Sequence, residues 1–74
     1  MKEREKEIAL REFGLQIATA REKKGISQTE LSRMLGKFRT YMNNVEAGRL
    51  NLSYFSILEI CECLQISLNE LINS

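Results

Sequence analysis

From Gly25 to Gly48 the chain reads GISQTELSRMLGKFRTYMNNVEAG, and its three glycines leave room for two short helices and nothing longer. Ser27 followed by Glu30 is the pattern of a capping box, in which each residue satisfies an amide at the start of a helix. The helix it opens carries Leu31, Met34 and Leu35 inward and stops at Gly36. A second helix then runs from about Arg39 to Ala47. On a wheel of about 100° per residue, Phe38, Tyr41, Met42 and Val45 share one side, while Thr40, Asn43, Asn44 and Ala47 gather opposite. One side is core and the other is polar.

The flanking segments read the same way. No proline occurs in the 74 residues and glycine appears four times, with no low-complexity stretch, so no linker or second domain is indicated. From about Glu5 to Lys24 the residues Ile8, Phe13, Ile17 and Ala18 recur at helical spacing, with Ala20 and either Leu10 or Leu15 at the margins and Gly25 as the stop. The first turns are polar on every side, and residues 1–12 are expected to form a fraying helical extension. Ser53 caps a fourth helix through Leu64, striped by Phe55, Ile57, Leu58 and Ile60. Ser67 and Glu70 make a second capping box, opening a last helix with apolar Leu68, Leu71 and Ile72. Those three either close a small core or meet a second subunit. A chain of 74 residues is one domain, and it buries little enough surface that dimerisation would help it.

Composition removes several classes of function. A hydrophobic fraction of 43% with 28% charged residues is that of a globular protein, with no apolar run long enough for a membrane span. The start, MKEREKE, is not a secretory signal, so the cytoplasm is the expected location. Cys61 and Cys63 point about 200° apart on a helix, which suits small buried thiols and not chelation. Histidine is absent, and no nucleophile, base or metal set converges. No enzyme activity, metal, cofactor or small-molecule ligand is expected.

Charge is unevenly spread. Net charge is +1, yet residues 21–49 hold seven bases against three acids, while residues 50–74 hold Glu59, Glu62 and Glu70 with no base. That segregation suits a polyanion at one end and protein contacts at the other. The polar side of the third helix then has a chemical reading: Arg39 matches guanine, Asn43 and Asn44 match adenine, and the methyl of Thr40 matches thymine.

A long helix followed by GISQTELSRMLGKFRTYMNNVEAGRLNLS resembles the Cro and phage-repressor type of helix-turn-helix, the XRE family, over about residues 13–72. The elements that carry the resemblance are Arg21, SQTEL, Gly36, RTYMNNVEAG, Asn51 and LQISLNELI. Within that family, RTY after the turn and an asparagine shortly past the ExG look most like the small controller proteins of restriction-modification systems. The resemblance implies an all-α, five-helix, lambda-repressor-like domain with its helix-turn-helix at the second and third helices. It further implies a transcriptional regulator that binds double-stranded DNA as a homodimer, the third helix lying in the major groove.

Residue roles follow from it. Gln28 matches the family's phosphate-clamping glutamine, and Ser27, Lys37, Tyr41, Arg49 and Asn51 flank the same groove wall. Lys23, Lys24 and Arg33 would add long-range attraction. Arg21 and Glu46 match an ion pair tying the first helix to the end of the recognition helix. Ser32 stands where such motifs need a small residue between the two helices. Three positions depart from the pattern: Phe38 is a poor helix cap, Leu50 stands where arginine is frequent, and Gln65 replaces a glycine. With the chain stopping soon after this fold, regulation would rest on concentration alone. The competing function is an antitoxin-like or adaptor module that uses the same fold to bind a protein, with Leu68, Leu71 and Ile72 as its contact or as the dimer interface.

Overall fold

The computed structural model describes residues 1–73 as five α-helices: α1 (Glu3–Lys23), α2 (Gln28–Met34), α3 (Tyr41–Glu46), α4 (Tyr54–Leu64) and α5 (Leu68–Ile72). No strand occurs among the described residues. α1 is helical from Glu3, so the stretch expected to fray continues the helix without a break. Ser53 and Ser67 cap α4 and α5 through their side-chain oxygens, and at α5 Glu70 returns the bond to the Ser67 amide. At α2 only half of the box forms: Ser27 Oγ accepts from the Glu30 N–H at 3.0 Å, and Glu30 does not reciprocate.

The core gathers one stripe from each helix. Ile17, Leu31, Met42, Ile60 and Leu71 are wholly inaccessible, and Ala20, Val45, Cys61 and Leu64 nearly so. α3 packs against α1 and α2, while α5 packs against α1 and α4. Leu71 thus closes the core of its own chain and is lost to any subunit contact. Leu68 packs against that core partly buried, and Ile72, at 49% exposure, has the most free surface of the three.

Several residues expected inside lie outside. The inward row of α4 is Ile57, Ile60, Cys61 and Leu64, at helical spacing, and Phe55 falls off it into solvent beside Tyr54. The inward row of α2 is Leu31, Ser32 and Leu35, which turns Met34 outward. Ile8 and Leu15 of α1 are exposed for the same reason, the buried row being Gly14, Ile17 and Ala20. None of the described helices is long and apolar enough to cross a membrane.

Candidate nucleic-acid interface

The turn between α2 and α3 is built by backbone bonds. Gly36 takes φ +70°, a left-handed conformation that costs other residues energy, and lets the Lys37 N–H reach the Ser32 carbonyl at 2.9 Å. The Tyr41 N–H then closes onto the Phe38 carbonyl at 2.9 Å. Helix α3 begins only at Tyr41, two residues later than the sequence pattern suggests. Phe38 has no oxygen with which to cap a helix, and Thr40 makes no side-chain cap bond. Residues 38–40 therefore form a turn, and Phe38, placed on the core side by the wheel, stands 89% exposed.

The missing cap comes from another helix. Ser32 Oγ, wholly buried in α2, accepts the Met42 N–H at 3.0 Å. One of the free amides that open α3 is thereby satisfied across the helix contact. The sequence marks Ser32 as small. It gives no sign of this bond, because the partner is a backbone amide that any residue supplies.

The far end of α3 is held by an ion pair. Arg21 Nε donates to Glu46 Oε2 at 2.7 Å and Nη2 to Oε1 at 3.1 Å, with the two side chains 11% and 7% exposed. Arg21 Nη1 also donates to the Ile26 carbonyl at 2.7 Å, and Gln28 Nε2 donates to Glu46 Oε1 at 2.9 Å. This cluster joins α1, the loop after it, α2 and α3. The hydrogen bond to Glu46 raises the Arg21 pKa against the opposing effect of burial. Gln28, expected on phosphate, has one amide hydrogen committed inside the protein, leaving the other to donate outward. Close by, α1 crosses the end of α3 at Gly14, where an added Cβ would stand 2.3 Å from the Glu46 carbonyl oxygen.

With both ends fixed, α3 turns Asn43 and Asn44 outward, the first exposed and the second half-buried. Arg49, just past the helix, donates from Nη1 to Asn43 Oδ1 at 3.3 Å and to Asn44 Oδ1 at 3.1 Å. Its own N–H is fixed to the Asn44 carbonyl at 3.0 Å. Arg49, expected beside a phosphate, thus joins the two asparagines in one patch. An amide oxygen has two acceptor sites, so each asparagine keeps one for a further donor while its NH2 stays free to donate.

The other residues expected at the site are at least partly exposed. Arg39 and Thr40 are exposed in the turn before α3. Lys37 holds its ammonium 5.5 Å from the centre of the half-buried Tyr41 ring, a cation–π contact. Ser27 and Asn51 are exposed, as are Lys23, Lys24 and Arg33. Phe38, Thr40, Tyr41 and Asn44 line an open depression of about 380 Å³ with Gly36 and Lys37. Among the described residues no group of three acidic or thiol side chains is placed to hold a metal ion.

The family model described as helix-turn-helix matches residues 17–71. The chain is similar to the ImmF control region 10 kDa protein of Bacillus phage phi105, 33% identical over 61 residues that span 82% of this chain and 68% of that protein. Its fold is similar to the restriction-modification controller protein C.AhdI from Aeromonas hydrophila, with a TM-score of 0.78 at 37% identity over 84% of this chain and 90% of that one. It is also similar to the clp gene regulator ClgR from C. glutamicum, with a TM-score of 0.77 at 29% identity over 85% and 83% of the two chains.

Proposed function

Because the chain belongs to the helix-turn-helix family of DNA-binding regulators, we propose that it is a sequence-specific transcriptional regulator that binds a two-fold symmetric operator as a homodimer. Helix α3 lies in the major groove, and the two half-sites are about one helical turn apart. The observation that carries this reading is the contrast within α3: Met42 and Val45 buried, both ends locked to neighbouring helices, and Asn43 and Asn44 presented outward in contact with Arg49. A rigid helix with a polar outward face is what base recognition requires, since each bidentate pair discriminates by about 1 to 3 kcal/mol only if its donors are held in place.

Asn43, Asn44 and Arg39 read base edges in this arrangement, and Thr40 contacts a base from the turn. Ser27, Gln28, Lys37, Tyr41 and Asn51 set the helix against phosphates, Ser27 through its hydroxyl proton and Gln28 through its free amide hydrogen. Arg49 orients the asparagines as well as meeting the backbone. The homodimer is formed by exposed apolar side chains outside α3, among which Leu15, Tyr54, Phe55 and Ile72 offer surface. The protein acts where its operator lies, in the cytoplasm.

Selection of bound fragments from a random duplex pool tests the reading. A palindromic consensus is the expected result, with affinity falling steeply as salt rises. Failure to enrich any sequence, together with tight binding to a neighbouring gene's product at high salt, would favour the adaptor instead.

A further inference from the structure

Phe38 is the largest apolar side chain on the proposed DNA face, and the roles assigned so far leave it unused. Its exposure of 89% places nearly the whole ring in water. The backbone that carries it is held on both sides, by the Lys37 N–H on the Ser32 carbonyl and by its own carbonyl on the Tyr41 N–H. The Phe38 side chain therefore leaves the backbone at a fixed point just ahead of α3. It lines the depression shared with Thr40 and Asn44, and its sequence neighbours Lys37 and Arg39 are both exposed cations. The Lys37 ammonium rests over Tyr41 and does not cover Phe38. An apolar ring set between two cations fits a surface that is apolar locally and anionic on either side.

The major groove of DNA offers that combination at one kind of base. The 5-methyl of thymine is the sole apolar group that unmodified base pairs present there, between two phosphate backbones. We infer that Phe38 is a further specificity-determining residue, its ring taking up the methyl group of one thymine in each half-site. The inference rests on the reading of α3 as the major-groove helix. It adds a contact made by shape and apolar burial to those made by hydrogen bonds.

The experiment uses the full chain and the operator obtained by selection. Each thymine is replaced singly by deoxyuracil, which deletes the methyl and leaves the pairing edge intact, and dissociation constants are measured by fluorescence anisotropy. The unaltered protein should lose about fourfold in affinity at one thymine per half-site, equivalent to about 0.8 kcal/mol for a buried methyl. Phe38→Ala should bind thymine and uracil equally there and keep the unaltered protein's response at every other position. A thermal melt of Phe38→Ala matching that of the unaltered chain confirms that the effect is local.

Indifference to every methyl overturns the inference, and so does a thymine-to-uracil ratio that Phe38→Ala leaves unchanged, which would mean that the ring packs on sugar or within the protein. If selection enriches no sequence, the DNA-reading function itself falls and this contact with it. If selection succeeds and the uracil scan is flat, the function stands and only the role of Phe38 falls.

Discussion

Two polar side chains decide where α3 sits, and each can be removed singly. Ser32→Ala keeps the small volume between α2 and α3 but leaves the buried Met42 N–H without an acceptor. An unsatisfied buried donor costs about 1 to 3 kcal/mol, so urea unfolding should show a loss of that size with little change in the slope of the transition. Arg21→Met keeps most of the packing but leaves the Glu46 carboxylate, which is 7% exposed, without its countercharge and with the Gln28 amide as its remaining side-chain donor. Breaking a buried pair from one side costs about 3 to 5 kcal/mol, enough to unfold much of a small domain at 37 °C, as circular dichroism would report. The pairing of Arg21 with Glu46 was readable because the resemblance supplied both partners. The hydroxyl bond was not, since half of it is backbone. Phe38 was assigned to the wrong side because the wheel treats residues 38–40 as already helical.

At the scale of helices, signals confined to four residues could be read and those depending on the approach of two elements could not. Ser53 and the Ser67–Glu70 box announce α4 and α5 because cap and amide lie in one turn. Gln65, noted as a departure from glycine, takes φ +57° at the end of α4, so that helix closes as the glycine-capped ones do at some cost in strain. Gly14 gave no local signal: nothing in a 21-residue helix shows that another helix end will pass against it. Gly14→Ala puts a Cβ 2.3 Å from the Glu46 carbonyl oxygen, so α1 and α3 must separate. The expected loss is about 3 kcal/mol, at the upper end of overpacking costs, measurable as a lowered urea midpoint. Because the displaced element is the proposed reading helix, operator affinity should fall even at temperatures where the variant remains folded.

For the molecule as a whole, the thiols of α4 set a limit on alkaline stability. Burial raises the pKa of Cys61, and burial together with Glu62 and Glu59 raises that of Cys63. The unfolded chain then loses these protons first as pH rises, so the associated stability is present below the ordinary thiol pKa of about 8.5 and declines above it. Urea midpoints at pH 7 and pH 10 should fall further apart for this chain than for the Cys61→Ala, Cys63→Ala variant; equal differences would refute the assignment. The core that buries Cys61 also supplies what α3 lacks. That helix has six residues and no cap of its own, and an isolated segment that short has negligible helicity in water. Helix α3 is therefore not a portable cassette: a peptide cut from residues 37–49, or the same thirteen residues grafted onto a foreign scaffold without a hydroxyl facing position 42, should be shapeless until a host provides one.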